Sequence, residues 1–191
     1  NYLDTARGYT ISEEYFGEAI KGNRDKWILA TKSMARTYDA MKAELDDIRI
    51  ASGATYVYVL TPANEQGEPD ETGVATEEGA FLITVDGSED PDDWAVDYGW
   101  EVQFTEAWEG TPAAARSAWN DSDELQCWSA FAPIYDSEGT VVGLLGVDYP
   151  CTEVAQAYPE WNRDVPEWNG FEDEITGDVP QEVQDMREFV A

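Results

Sequence analysis

The sequence predicts an α+β domain in which a long helix packs behind a central antiparallel sheet of five or six strands. Three observations carry this. Residues 38–53, "YDAMKAELDDIRIASG", place Met41, Leu45 and Ile48 on one face with acids opposite, as an amphipathic helix requires. The next residues, "ATYVYVL" (54–60), are rich in Tyr and Val and read as a strand. Finally, "CWSAFAPIY" (127–135) and "TVVGLLGVDY" (140–149) flank "DSEG", where Asp136 and Gly139 suit a tight hairpin turn.

The remaining elements follow in chain order. Thr10-Ile11-Ser12-Glu13 has the form of a capping box, with Tyr15, Phe16, Ala19 and Ile20 at helical spacing behind it and Gly22 as a stop. "KWILAT" (26–31) reads as a short buried strand, so residues 1–32 are expected to form a parallel strand–helix–strand unit. Residues 61–79 read as a long acidic Gly/Pro loop, 80–86 ("AFLITVD") as a strand and 87–94 ("GSEDPDDW") as a turn. The stretch 97–119 is irregular and aromatic, with helix expected at "TEAW" (105–108) and "AAARSAW" (113–119). A short repeat closes the pattern, "PEWNRD" (159–164) and "PEWNGF" (166–171); two copies do not make a solenoid.

Charge divides the chain. Of 191 residues, 41 are Asp or Glu and 11 are Lys or Arg, giving a net charge of −30. Residues 1–50 are nearly balanced, whereas 51–191 carry 32 acids against three arginines (Arg116, Arg163, Arg187) and no lysine. Nucleic acid and anionic membrane surfaces are repelled by such a field and are poor partners, so none is expected. With 42% apolar and 13% aromatic residues the chain still buries a core. It has no apolar run long enough to span a bilayer, so any membrane attachment is expected through spans outside this sequence, which reads as cut from something larger. The organisation expected is an N-terminal fragment at 1–37, a body at 38–175 and an acidic helical connector at 176–191.

Residues 1–47 resemble the aldo-keto reductases. Asp4-Thr5-Ala6 followed by Tyr9 matches their D-T-A-x-x-Y motif, "SEEYFGEAI" the helix that follows, and "ILATKS" the next strand, with Lys32 in the lysine position. The resemblance implies that Tyr9 descends from a proton donor tuned by Lys32 and Asp4, since a phenol is a poor acid at neutral pH without a cation beside it. The family's fourth catalytic residue is a histidine, and this chain has none. Two strands cannot build a site assembled from the loops of an eight-stranded barrel. Asp4, Tyr9 and Lys32 are therefore read as relics, with no cofactor and no catalysis expected.

Residues 38–175 resemble the Cache domains, PAS-like extracytoplasmic modules of bacterial transmembrane receptors. The resemblance rests on the helix-to-strand passage "YDAMKAELDDIRIASGATYVYVL", on "FLITVDGSEDPDDW", and most specifically on "SAFAPIYDSEGTVVGLLGVDY". It implies a small ligand held between sheet and loops, and an output carried to a histidine kinase, a diguanylate cyclase or a chemotaxis module. A homodimer through the N-terminal helix is a further expectation. A reductase fragment and a purely structural acidic domain are the rival readings.

Within that resemblance, Asp148 is the position that commonly pairs with a ligand ammonium; the alternative is a strand-end Asp bonding backbone N–H groups. If Tyr135 pairs with Thr140, Cys127 faces Asp148 and Ser129 faces Gly146, and Ser129, Phe131, Leu144, Gly146 and Asp148 share one face. Gly146 would then leave room for a ligand at the sheet. Tyr58, Trp94, Tyr98 and Trp128 are the candidate walls. Scarce arginine and abundant aromatics favour a small amine or amino acid over a dicarboxylate, through an ion pair and cation–π contact. Asp86, Ser88, Asp90 and Asp92 resemble a calcium loop, but Pro91 stands where Gly is needed and Asp97 where Glu is, so no metal is expected. On the same register Cys127 and Cys151 are offset by about three residues, beyond disulfide reach without a local bulge.

Overall fold

The computed structural model describes residues 1–64, 66–70, 80–91 and 94–166. The second half of the loop 61–79, Asp92, most of the second "PEWN" copy and the expected connector at 176–191 lie outside them.

The opening residues form the expected unit. Strands β1 (Tyr2–Asp4) and β2 (Ile28–Ala30) pair in parallel, with helix α1 (Ser12–Ala19) between them. No residue of α1 is buried, so the unit adds little core. The capping box does not form. Ile11 is the N-cap without a side-chain bond, Thr10 takes a positive φ of 56°, and the Glu13 carboxylate instead accepts a hydrogen bond from Thr31. An exposed ion pair, Arg7 to Asp47 at 2.5 Å, ties this unit to the body.

Helix α2 (Tyr38–Ser52) starts at Thr37, whose hydroxyl accepts from the Ala40 N–H, and stops at Gly53. At 15 residues it is a helix of ordinary length, and the long N-terminal helix expected from the sequence is not seen. It packs on the sheet through Leu45 and Met41 against Val57, Val59, Val85, Leu145 and Val147. The approach is close at Gly87, where a Cβ would stand 2.5 Å from that of Leu45.

The main sheet comprises β3 (Tyr56–Pro62), β4 (Phe81–Asp86), β5 (Val96–Gly99), β6 (Ala113–Ala114), β7 (Trp119–Asn120), β8 (Gln126–Tyr135) and β9 (Val141–Pro150). Their order is β5-β4-β3-β9-β8-β6, with β7 also on β8 and every pairing antiparallel. The sheet thus has seven strands, two more than the lower expectation. Two of them, β6 and β7, come from 113–120, where helix was expected over 113–119, and β5 falls where no strand was read. Ala113 and Ala114 pair with Phe131 and Ala130 along the open edge of β8, and this pairing overrides the helical propensity of an alanine run. Helix α3 (Val102–Trp108) covers the face away from α2. Its Phe104 ring lies 4.6 Å from Phe81 and 4.7 Å from Phe131, beside Leu60 and Leu144. Helix α4 (Thr152–Ala157) follows β9. No described helix is long and apolar enough to cross a membrane.

The hairpin register differs from the expected one by two residues. Tyr135 pairs with Val141 rather than Thr140, because the Asp136 carboxylate caps a wider turn by accepting from the Glu138 and Thr140 N–H groups. A bulge between Ile134 and Tyr135 adds a second step. Ser129 therefore faces Asp148, Phe131 faces Gly146 and Cys127 faces Pro150. This brings Cys151 within a residue of Cys127's partner rather than three away, and both thiols are free.

Candidate functional site

Asp148 stands near the end of β9, on the face opposite α2 and 3% exposed. Alternation along β9 puts Gly146 on the same face, directly across from Tyr58. The space above Gly146 is not open to a ligand, as expected, but is filled by the Tyr58 ring; a Cβ on Gly146 would lie 2.1 Å from that ring. The ring thus leans along the sheet, and its hydroxyl donates to Asp148 Oδ1 at 3.1 Å and meets the Tyr98 hydroxyl at 3.1 Å. Ser129, across the ladder, adds a hydroxyl to the carboxylate and accepts the Trp119 indole N–H at 3.0 Å.

Burial dominates the electrostatics here. Loss of solvent raises the Asp148 carboxyl from an ordinary 3.8 to about 6, with the Ser129 and Tyr58 hydroxyls opposing the rise, Glu101 adding to it and Arg163 opposing it. Burial likewise holds the Tyr58 and Tyr98 phenols well above their ordinary value, and that of Tyr56 at about 12. All three tyrosines are neutral hydrogen-bonding walls at physiological pH.

Above Asp148 opens a cavity of about 500 Å³. Its aromatic lining is Tyr56, Tyr58, Tyr98 and Trp119. Among the described residues its charged lining is six carboxylates (Asp86, Asp90, Asp97, Glu101, Asp121 and Asp148) and one cation, Arg163. Arg163 donates to Glu101 at 2.9 Å, and the Tyr56 hydroxyl donates to Asp121 at 3.0 Å. No three acidic or thiol groups converge into a metal site among the described residues.

Of the residues singled out from the sequence, Asp148, Ser129, Tyr58 and Tyr98 come together. Two do not. Trp94 is 64% exposed and lies off the cavity, because the strand begins only after it, past Ala95 at a positive φ of 65°. Trp128 is adjacent to Ser129 and so points to the other side of β8, where its indole N–H donates to the Ala115 carbonyl. Trp119, Asp121, Glu101 and Arg163 were missed. Arg163 carried one signal: it is a rare cation in an acidic body, in the copy of the repeat that reads "NRD" rather than "NGF". The segment is held in place by the Arg163 N–H to Ala118 O bond and by Asn162 Nδ2 donating to Asn120.

The reductase-like residues are also gathered. Lys32 Nζ donates to Asp4 at 2.6 Å and sits 5.5 Å from the centre of the Tyr9 ring, and Asp4 raises the Lys32 pKa. Tyr9 is 53% exposed, at the end of a two-stranded sheet.

Fold and site together define an α+β scaffold: an antiparallel sheet with a helix on one face and an acid- and aromatic-lined cavity on the other. No family model and no curated protein matches this chain. Among solved structures it is similar to the periplasmic domain of RsbU from Chlamydia trachomatis, at 12% identity and a TM-score of 0.39, over 77% of this chain. The chain spans 46% of that neighbour's length.

Proposed function

We propose that residues 38–175 are the extracytoplasmic sensing domain of a bacterial transmembrane receptor, PAS-like and of the Cache kind, and that the cavity takes a small amine or amino acid. One observation carries the reading: a carboxylate 3% exposed, held by neutral hydroxyls, at the floor of an aromatic cavity. A buried carboxylate with hydroxyl partners alone is costly, and a ligand ammonium would complete it. Tyr58 and Tyr98 would flank the nitrogen, and Arg163, paired with Glu101, is the cation that lines the cavity. Receptor type, output domain and dimerisation through the N-terminal helix belong to this proposal, as does the absence of catalysis.

The Asp148→Asn variant tests it. Amine binding, read by calorimetry, should weaken by on the order of 2 kcal/mol or more. The ligand-free protein should respond in the opposite sense. Because the folded carboxyl titrates at about 6, above its ordinary 3.8, Asp148 favours folding at low pH and that contribution is lost as pH rises through 6. Asn should therefore raise the Tm of the ligand-free protein at about pH 8, where the native carboxylate is charged. Affinity of the native protein for an amine should fall about tenfold per pH unit once pH drops below about 6. Glu101, Arg163, Asp121 and the three tyrosines also face this group, and none of the tyrosines titrates in that window. Amine binding indifferent to both the Asn change and pH would remove Asp148 from the site.

The opening unit is proposed to be inert. Asp4, Lys32 and Tyr9 lie together, yet Tyr9 is open to solvent, and no histidine exists in the chain. No NADPH-dependent reduction of a simple aldehyde is expected. Turnover lost on Tyr9→Phe would show the opposite.

A further inference from the structure

The cavity's charge is more than a single ammonium can match. Six carboxylates and one arginine line about 500 Å³, and the arginine is already bonded to one of the six. A zwitterionic amino acid would carry its own carboxylate into that surplus, and its cationic partner would have to be drawn from Glu101. A compact metal ion is also poorly served, since no three of these groups converge among the described residues. The surplus is instead spread along the walls. Asp148 lies at the sheet, and Asp121 lies at the hydroxyl end of Tyr56, the residue paired with Asp148 across the ladder.

Deepening the reading above, and resting on it, we propose that the ligand is a short-chain diamine or polyamine. One ammonium is held by Asp148 beside the Tyr58 and Tyr98 hydroxyls, and a second by Asp121, with the methylenes between them laid along Tyr56 and Trp119. Both nitrogens find carboxylates, and the apolar spacer finds ring faces. The two ends differ in solvent access: Asp148 is buried and Asp121 is exposed. The inner contact should therefore set affinity, and the outer one should add preference and salt sensitivity.

Three probes of matched chain length separate the possibilities: putrescine, butylamine and γ-aminobutyrate, each titrated calorimetrically into the full chain at one fixed salt concentration. Putrescine should bind about tenfold tighter than butylamine, and γ-aminobutyrate should bind weakest. Asp121→Asn should erase the preference for putrescine over butylamine, weakening putrescine binding by about tenfold more than butylamine binding. Asp148→Asn should weaken both amines. Asp121 is exposed, so its replacement is not expected to disturb folding, and a circular dichroism spectrum matching the native protein confirms it. Equal binding of putrescine and butylamine, both sensitive to Asp148→Asn, would overturn the diamine inference and leave the amine reading standing. Tightest binding by γ-aminobutyrate would overturn it likewise. No binding of any of the three would overturn both.

Discussion

Lowering the salt concentration from about 2 M to about 0.1 M should lower the Tm of this protein by roughly 10–20 °C. At molar salt the Debye length is about 3 Å and at 0.1 M about 10 Å, so unscreened repulsion reaches from one surface carboxylate to its neighbours only in the dilute condition. The chain has little cation to answer it. From residue 51 onward, 32 acids face three arginines. Four of the five ion pairs among the described residues draw their cation from residues 1–50, and the fifth is Arg163 with Glu101 inside the cavity. A net charge of −30 on a compact chain of this size destabilises it through self-repulsion that expansion relieves. A cost of roughly 5 kcal/mol corresponds to the stated shift, at about 2–4 °C per kcal/mol for a chain of 150–250 residues. Thermal scans in a sodium chloride series, with sucrose as an uncharged control, read this out. A Tm flat from about 0.1 M to 2 M salt would show that the acidic surface is not under strain.

Gly146→Ala should destabilise the fold by about 2–3 kcal/mol and abolish amine binding together. The added methyl would stand 2.1 Å from Tyr58 Cε2 and 2.6 Å from Cζ, separations that no contact tolerates. Backbone on β9 is fixed by ladders to β3 and β8 on both sides, so the ring must move instead. Moving it breaks the Tyr58–Asp148 and Tyr58–Tyr98 bonds and opens the aromatic cluster that runs on to Phe104 and Phe131. Tyr58→Phe separates the two effects, since it keeps the ring over Gly146 and removes only the hydroxyl. It should cost about 1 kcal/mol of stability and push the Asp148 carboxyl higher still, because that hydroxyl opposes the rise. Chemical denaturation and calorimetry on the two variants decide it. Native stability in Gly146→Ala would mean that the ring lies elsewhere.

The faces of the hairpin were legible in the sequence even though its register was not. The expected and observed pairings differ by two residues, one from the wider Asp136 turn and one from the bulge after Ile134. A single slip would have turned every side chain over, but two restore the parity. Ser129, Phe131, Leu144, Gly146 and Asp148 therefore share a face in either register. Which residue opposes which was not recoverable, because turn width and bulges depend on side-chain bonds such as those of Asp136. The same limit explains Gly146. Its lack of a side chain was visible, but what fills the gap depends on Tyr58 on a third strand, more than eighty residues away.

What the sequence determined by itself was local and periodic: the α+β class, α2 from Tyr38 with its Gly53 stop, the alternation of β3, β8 and β9, and a net charge of −30. Periodicity of two or 3.6 residues is a property of the backbone and survives any packing. What only the tertiary structure decided was the composition of the cavity. Trp119, Asp121, Glu101 and Arg163 come from an edge strand, a loop, a helix N-cap and a segment beyond α4, and no spacing links them. Trp94 and Trp128, expected as walls, fell outside it. A cavity is enclosed by segments that meet at long range, so its lining is set by topology and register, which the linear pattern does not contain.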